Sequence, residues 1–464
     1  MKNVTLLFFF LTISLISVSQ NIDNKNLTLD LIKSFSNKFH TDKTNIALQN
    51  AISSNDIRKL AINRNNLGKT DNYFKYKVET NGITDQKSSG RCWLFTGLNV
   101  LRPIATANMN ISDIKFSQTF LFFYDQLEKA NLFLEGIIDT RTKPLEDKRV
   151  EWLLKNPIGD GGQWTGLVDL ATKYGIVPED VMPESYNSEN TRIISELLAN
   201  NLKADAMEIR TMASQKKSDA AISTRKVEML SDIYKVLALS LGEPPTEFSW
   251  RFTDKDNKIS ELINYTPITF YKKWVNINLT DYVMFMNDPS RPFYKLYEID
   301  YDRHLLEGGN WKYINLPINE IKDYAKKSII ANEAMYFSCD VGKQLDIDRG
   351  YLDINNYNYS GLFSVNFEMD KKQRIETFAS GSTHGMTLVG LDVDKEDKST
   401  KWLLENSWGM KGYKGFLIMT DDWFSEYMFR LVINKKYIPE QVMKILETKA
   451  VMLPPWDPMF ADEL

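Results

Sequence analysis

The sequence predicts an α+β fold, because helix-like and strand-like patterns occupy different parts of the chain. Apolar residues recur with helical spacing in 92–107, 117–135 and 190–240. From residue 334 onward, short apolar runs alternate with glycine, aspartate and asparagine, which is typical of strands joined by turns. Helices that precede a run of strands, instead of alternating with them, favour the α+β class.

Length and composition describe an ordinary soluble protein. The 464 residues correspond to roughly three domain-sized units. A hydrophobic content of 43% and an aromatic content of 12% predict a substantial core. The net charge is −4 and the isoelectric point is about 5.7, so the chain has no general positive field for nucleic acid or for an anionic membrane.

The N-terminus predicts an export signal over residues 1–19. Lys2 precedes an uncharged apolar run, and small residues at 17 and 19 suit cleavage before Gln20. The run is short for a membrane-spanning helix, which needs about 20 residues, although an N-terminal anchor is the alternative. We therefore expect a periplasmic or extracellular protein without stable membrane insertion.

The chain has only two cysteines, Cys92 and Cys339, and three histidines. Their spacings do not match metal-binding patterns, and phosphate-binding glycine loops are missing, so we predict no metal and no cofactor. Cys339 lies in AMYFSCDV, which reads as a buried strand, and we expect it to be a core residue instead of a disulfide partner of Cys92.

Cys92 begins the predicted helix 92–107, directly after the polar turn SSGR. The unpaired N–H groups and the macrodipole at a helix N-terminus favour negative charge. We therefore predict a lowered pKa for the Cys92 thiol and a nucleophilic thiolate. A buried structural cysteine is the alternative for a cysteine taken by itself.

Three further residues supply what a cysteine nucleophile needs. His384, in GSTHGMTLVG, is the candidate acid and base, and Asn406, 22 residues later in LLENSWG, can orient its ring under the cover of Trp408. Gln86, six residues before the cysteine, is the candidate oxyanion donor together with the backbone N–H of Cys92. Each has an ordinary alternative as a surface or turn residue, but together they form one catalytic set.

The segments QKSSGRCW, THGMTLVG and ENSWGMKGYKGF resemble the active-site segments of the papain-like cysteine proteases. His384 lies 292 residues beyond Cys92, whereas roughly 130–150 separate these residues in cathepsins, so an insertion is required. The segments DGGQW, YGIVPEDVMPES, SCDVGK and LPPWDPM are similar to the bleomycin hydrolase / aminopeptidase C branch from about residue 70 onward. Gly-Arg before the cysteine and the export signal depart from the usual pattern.

This resemblance implies a two-lobed papain-like fold, with a helical lobe, a β-barrel-like lobe, a helical insertion and a C-terminal arm in the cleft. It also implies a homohexamer that acts on peptides as an aminopeptidase. Gly161, Gly162 and Trp408 are implied to contact substrate, and the terminal carboxylate of Leu464 to hold its α-amino group. The predicted organisation is signal 1–19, arm 20–70, helical lobe 71–190, insertion 191–330, β-rich lobe 331–440 and C-terminal arm 441–464.

Three alternatives stay open from the sequence. A secreted endopeptidase would use the same residues but would cleave N-blocked peptides as fast as free ones. A non-catalytic binding protein would keep the fold, although none of its catalytic residues is lost here. Acyl transfer to an amine would proceed through the same acyl-enzyme as hydrolysis.

Overall fold

The computed structural model describes residues 26–68, 71–80 and 82–460. The predicted export segment 1–19 and Leu464 lie outside the described residues, so export stays a prediction. The chain divides into two compact units, with the boundary between Ile62 and Asn63. Within the described residues, no helix is both long enough and apolar enough to cross a membrane.

The described part of the first unit is helical. It contains α1 (Leu29–Thr41), α2 (Lys43–Ser53) and α3 (Ile57–Leu60). Thr28 accepts a hydrogen bond from the backbone of Leu31, and Asp42 accepts one from Thr44, so both longer helices have a capped start.

The second unit contains the long helices that the sequence predicts. The predicted helices 92–107 and 117–135 are confirmed. The first continues through Pro103 to Met109, and the second is capped by Ser117 and continues to Thr140. The helices are α4 (Arg64–Leu67), α5 (Cys92–Met109), α6 (Gln118–Thr140), α7 (Lys148–Lys155), α8 (Trp164–Tyr174), α9 (Tyr186–Glu189), α10 (Arg192–Ser214), α11 (Asp219–Leu241), α12 (Pro267–Trp274), α13 (Ile318–Ile330), α14 (Tyr359–Phe363), α15 (Lys371–Glu376), α16 (Asp421–Tyr427) and α17 (Glu440–Met443).

Twelve of the described strands form one mixed sheet. The strands are β1 (Tyr76–Lys77), β2 (Phe248–Trp250), β3 (Ile263–Tyr265), β4 (Tyr282–Met286), β5 (Lys295–Ile299), β6 (Lys312–Asn315), β7 (Met335–Cys339), β8 (Leu345–Asp346), β9 (Tyr351–Leu352), β10 (His384–Val393), β11 (Ser399–Glu405), β12 (Phe416–Thr420), β13 (Met428–Asn434) and β14 (Val451–Leu453). The order is β14-β5-β6-β4-β13-β7-β10-β11-β12-β9-β8, with β1 added to β10, while β2 and β3 pair separately.

The sheet lies between two hydrophobic cores. Along β7, Met335 and Phe337 belong to the core that includes α13, whereas Tyr336 belongs to the core that includes α5. This alternation is expected because successive side chains of a strand point to opposite faces. Helix α5 packs on the sheet at β10 and β7, and it thereby brings its first residue to the strands that end nearby.

The mixed α+β class is confirmed, while the finer description of two lobes stays a prediction. The segment 191–330, predicted to be mainly helical, begins with α10 and α11. Its second half then contributes β4, β5 and β6 to the large sheet. The apolar runs of these short strands are ambiguous in sequence, because only their pairing in the folded chain distinguishes them from buried loops. Strand β4 pairs with β13 and β5 pairs with β14, while β6 lies between β4 and β5.

Candidate active site

Cys92 is the first residue of α5, and the residues on both sides of it are fixed. The buried Arg91 donates two hydrogen bonds to Glu184, at 2.8 and 3.1 Å. The backbone N–H of Gly90 donates to Asp160 Oδ2 at 2.7 Å, and Trp93 Nε1 donates to the Asp160 carbonyl at 2.9 Å. Cys92 therefore stands on a rigid turn, and the residue as a whole is half-buried.

His384 begins β10, and its ring is held from two sides. Its Nε2 lies 2.7 Å from Asn406 Oδ1, which also accepts the Ser407 N–H at 2.8 Å. Since the amide oxygen only accepts, Nε2 carries a proton and Nδ1 is the basic nitrogen. The Trp408 ring stacks on the imidazole, with 4.6 Å between centroids.

The start of β10 meets the head of α5. The backbone of Gly385, directly after His384, hydrogen-bonds the Cys92 thiol. A Cβ at Gly385 would lie 3.1 Å from Thr96 Oγ1 and 3.6 Å from the Cα of Trp93, so glycine allows this close approach. Cys339 is opposite His384 in the sheet and fully buried, and both cysteines are free thiols. The predicted core position of Cys339 is confirmed.

The predicted lowering of the Cys92 pKa is wrong for the resting site. Burial raises the pKa of the thiol, and hydrogen bonds from the Gly385 and Trp93 backbones offset only part of this effect. Burial also lowers the pKa of His384 to about 4, against the opposing effect of the Asn406 hydrogen bond. Desolvation penalises the charged form of each group, and for Cys92 it is the largest effect.

Gln86 joins the cysteine loop to the asparagine loop. Its side-chain oxygen accepts from Ser407 Oγ at 2.7 Å, and its backbone N–H donates to the Ser407 carbonyl at 2.8 Å. The amide nitrogen donates one N–H to the Ser89 carbonyl at 2.7 Å. An amide NH₂ has two N–H donors, so the second is the one that can serve an oxyanion.

Residues 159–162, GDGG, form a glycine-rich loop. A cavity of about 280 Å³ lies beside this loop, with Gly161 and Gly162 in its wall. A Cβ at Gly162 would lie 2.5 Å from His304 Cε1 and 2.7 Å from the Trp93 ring, so only glycine fits there. The C-terminal segment supplies Pro455 and Phe460 to the same wall. Phe460 is buried and packs edge-on against Trp311, with 4.8 Å between centroids.

The segment that leads to Phe460 is anchored along its length. Strand β14 pairs in parallel with β5, and Asp457 accepts two hydrogen bonds from Arg291, at 2.6 and 2.7 Å. Lys148 and Arg149 lie over the Trp456 ring. The C-terminal arm is thus a packed segment as far as residue 460, while the predicted contact of Leu464 falls outside the described residues.

Three charged or titratable residues near the site were not predicted. Asp302 and His304 line the cavity. Arg430 is buried near enough to act electrostatically on Cys92, and its guanidinium lies 4.0 Å from the Trp311 ring centroid. An arginine within the apolar run FRLVIN was the one available sequence signal. Among the described residues, no three His, Cys, Asp or Glu side chains are grouped as a metal site requires.

Comparisons with known proteins agree with this geometry. A model described as the Peptidase C1-like family matches residues 26–460. Bleomycin hydrolase of Rattus norvegicus is 36% identical, with 95% of this chain and 100% of that protein covered. Aminopeptidase C of Lactobacillus delbrueckii subsp. lactis is 34% identical, with 94% and 99% covered. The crystal structure of PepW from Lactobacillus rhamnosis HN001 is similar at a TM-score of 0.91 and 37% identity, with 94% and 99% covered. The predicted resemblance is confirmed.

Proposed function

Because this chain belongs to the Peptidase C1-like family of cysteine peptidases, we propose that it is an aminopeptidase that removes N-terminal residues from peptides. The observation that carries the proposal is the catalytic set around Cys92. His384 is held by Asn406 at 2.7 Å, and the thiol of Cys92 is hydrogen-bonded by the residue next to that histidine. The name of the aminopeptidase C relative supports action at peptide N-termini.

The first half of the reaction forms a thioester. Nδ1 of His384 takes the thiol proton as the sulfur attacks the substrate carbonyl, so positive charge develops on the imidazole and negative charge on the carbonyl oxygen in the transition state. The backbone N–H of Cys92 and the second N–H of the Gln86 amide stabilise the oxyanion, since the first N–H groups of a helix have no helical acceptor. His384 then gives its proton to the leaving amine, and the acyl group stays on Cys92.

The second half of the reaction releases the acyl group. Water gives a proton to His384 Nδ1 and attacks the thioester, and the proton returns to the sulfur as the C–S bond breaks. Asn406 keeps the ring orientation throughout, because its oxygen accepts the Nε2 hydrogen in both halves. Trp408 keeps solvent from that hydrogen bond.

The C-terminal arm limits the enzyme to N-terminal residues. Residues 451–460 are anchored by β14 and by Asp457, and they end with Phe460 in the cavity beside the glycine-rich loop. That loop is hydrogen-bonded to the residues on both sides of Cys92. A peptide that continued past the cleaved residue in this direction would collide with the arm.

A pair of substrates tests the proposal. We expect leucine p-nitroanilide to be hydrolysed and its N-acetyl form to be hydrolysed at least about tenfold more slowly, with no turnover by Cys92→Ala. A variant that lacks 460–464 should gain activity on an N-acetylated peptide, because the end of the arm is removed. Equal turnover of free and acetylated substrates by the full chain would favour an endopeptidase instead.

Export and assembly are further proposals that rest on the sequence alone. N-terminal sequencing of the protein from its native host should give Gln20 as the first residue. Sedimentation of the mature protein should give the mass of six chains. An intact Met1 would contradict export, and a sedimenting monomer would contradict the homohexamer.

A further inference from the structure

Arg430 is a charged residue inside the large sheet. It lies on β13 between Phe429 and Leu431, and all three residues are buried. Burial lowers the pKa of the guanidinium to about 10, so the group keeps its charge near neutral pH. A buried charge is costly unless its surroundings compensate for it, and an apolar residue would fill the same space without that cost. The arginine therefore indicates a role for the charge itself.

Strand pairing places Arg430 in one row with the catalytic site. Arg430 is opposite Ser338 of β7, and Ser338 is in turn opposite Gly385 of β10. The backbone of Gly385 hydrogen-bonds the Cys92 thiol. Neighbouring strands lie about 4.8 Å apart, so two strand spacings separate Arg430 from Gly385. The long side chain of an arginine covers much of that distance.

The side chain of Arg430 points to the face of the sheet that α5 covers. Tyr336 of β7 and Val432 of β13 belong to the core that includes α5. Ser338 and Arg430 each lie two residues from one of them on the same strand, and side chains two apart point to the same face. Because α5 packs on β10 and β7 and begins with Cys92, the guanidinium lies on the side of the sheet where the nucleophile lies.

Neutral groups fix the position of the guanidinium. Its Nη1 donates to Ser382 Oγ at 3.1 Å and to Ser338 Oγ at 3.3 Å, and the two hydroxyls are 3.1 Å apart. The Trp311 ring centroid lies 4.0 Å from the guanidinium carbon. Ser382 is two residues before His384, so the arginine also holds the segment that leads into β10. These partners orient the guanidinium without cancelling its charge.

Two charges of opposite sign act on the Cys92 thiol. Burial raises the pKa of the thiol most, and the negative charge of Asp160 raises it further. The positive charge of Arg430 lowers it, in the same direction as the backbone hydrogen bonds. Asp160 belongs to the glycine-rich loop, whereas Arg430 belongs to the sheet. The arginine therefore opposes both burial and the nearby carboxylate.

Four other titratable groups lie near the thiol or the guanidinium, namely His384, Cys339, Tyr336 and Asp302. Burial raises the pKa of Cys339 and of Tyr336, and it lowers the pKa of His384 to about 4, so these three groups are neutral near pH 7. Burial also raises the pKa of Asp302. None of these four groups supplies a positive charge to the resting site.

We infer that Arg430 is a positioning residue for the cysteine nucleophile, whose fixed positive charge favours the thiolate and whose bond to Ser382 orients the segment that enters His384. The inference rests on the proposed function, because it takes Cys92 as the nucleophile. An arginine suits this role because its guanidinium resists deprotonation and its planar group is held by several donors at once. A lysine would keep the charge, whereas an amide would keep only a donor.

The test measures how the rate at which iodoacetamide alkylates Cys92 depends on pH, by mass spectrometry of the peptide that carries it. The thiolate is the reactive form, so the midpoint of the profile reports the pKa of this thiol. We expect Arg430→Gln to move the midpoint to higher pH by at least about half a pH unit, because a nearby positive charge is lost. The kcat/KM for leucine p-nitroanilide at pH 7 should fall at least about threefold, in step with the thiolate fraction.

Three variants separate the charge from the fold. Arg430→Lys keeps the charge and Ser382→Ala removes only a hydrogen bond, so both should keep the parent midpoint. Arg225→Met removes a positive charge from α11, where Arg225 pairs with Glu208 and Glu228, and it should leave the midpoint and the activity unchanged. Arg430→Met is the second neutral variant, should the amide misfold.

The outcomes distinguish the inference from the proposed function. An unmoved midpoint in the neutral variants, or an equal movement in Arg430→Lys, would overturn the inference. Failure of both neutral variants to fold would overturn it as well, because the charge would then serve the fold. A parent that is alkylated at Cys92 but does not hydrolyse leucine p-nitroanilide would instead overturn the proposed function.

Discussion

The two sides of Cys92 differ in what fixes their geometry. On the histidine side, three hydrogen bonds of 2.7–2.8 Å connect His384, Asn406, Ser407 and Gln86. On the cavity side, Gly162 approaches the rings of His304 and Trp93 so closely that a Cβ would lie 2.5 and 2.7 Å from them. The difference indicates that hydrogen bonds orient the groups that perform chemistry before substrate arrives, whereas close packing fixes the loop that lines the cavity.

The largest effect should come from the atom that both sides share. Cys92→Ala removes the nucleophile, and we expect kcat to fall by about 10⁴-fold or more. Steady-state kinetics on leucine p-nitroanilide measures this loss. Cys339→Ala is the control, because that thiol is fully buried on β7 and should change stability without abolishing turnover. Comparable losses in the two variants would contradict the assignment.

Breaking the histidine side should have the next largest effect. Asn406→Ala removes the acceptor that orients the ring, and we expect kcat to fall by about 10²-fold. The imidazole must be neutral to accept the thiol proton, so activity is lost as pH falls through the His384 pKa of about 4. The Asn406 hydrogen bond raises that pKa, so its loss should move the acid limb of kcat/KM to lower pH.

Ser407→Ala is the control for this prediction. It removes the bond to Gln86 and keeps the amide oxygen of Asn406 on the ring, so the acid limb should stay in place. An acid limb that does not move in Asn406→Ala would show that another group sets it.

Breaking the cavity side should have a smaller effect on activity. Gly162→Ala places a Cβ 2.5 Å from His304 and 2.7 Å from Trp93, so the glycine-rich loop must shift. We expect kcat/KM to fall about tenfold, because small displacements of a binding group are costly in rate. Gly309→Ala is the matched control, since a Cβ there has open space. Equal activity of the two variants would show that the loop position is unimportant.

The smallest effect on activity is expected from breaking the buried ion pair next to Asn406. Arg102 of α5 forms a buried ion pair with Glu405, the residue before Asn406. Arg102→Met leaves that carboxylate unpaired, and we expect the free energy of unfolding to fall by about 3–5 kcal/mol in urea titrations. Turnover of the folded fraction should change little. The double variant Arg102→Met, Glu405→Gln should recover part of the stability, and its failure to do so would argue against a charge effect.

The catalytic residues and the charged residues around the cavity also differ in how far the sequence predicts them. Gln86 and Cys92 lie within one short segment, and His384 and Asn406 lie in strand patterns with flanking glycines. The local sequence around each residue was therefore enough to predict it as a catalytic residue. Asp302 and Arg430 come from separate strands and connections that meet only in the folded chain. Their relation to the site is therefore a tertiary property without a local pattern.

The errors have the same physical origin. The helix-terminus argument for a lowered Cys92 pKa uses a local effect, whereas the desolvation that dominates depends on how α5 packs against β10. The positions of β4 and β5 within 191–330 were not predicted, because each pairs with a strand that is distant in sequence, β13 and β14 respectively.

The central claim is that one thiol, activated by one imidazole, acts on substrates with a free N-terminus. Mass spectrometry of the intact full chain after treatment with leucine chloromethyl ketone tests it most directly. We predict a single adduct on Cys92, formed at least about tenfold faster than with the N-acetyl reagent and strongly slowed in Asn406→Ala. An adduct on Cys339, or equal rates for the two reagents, would contradict the account.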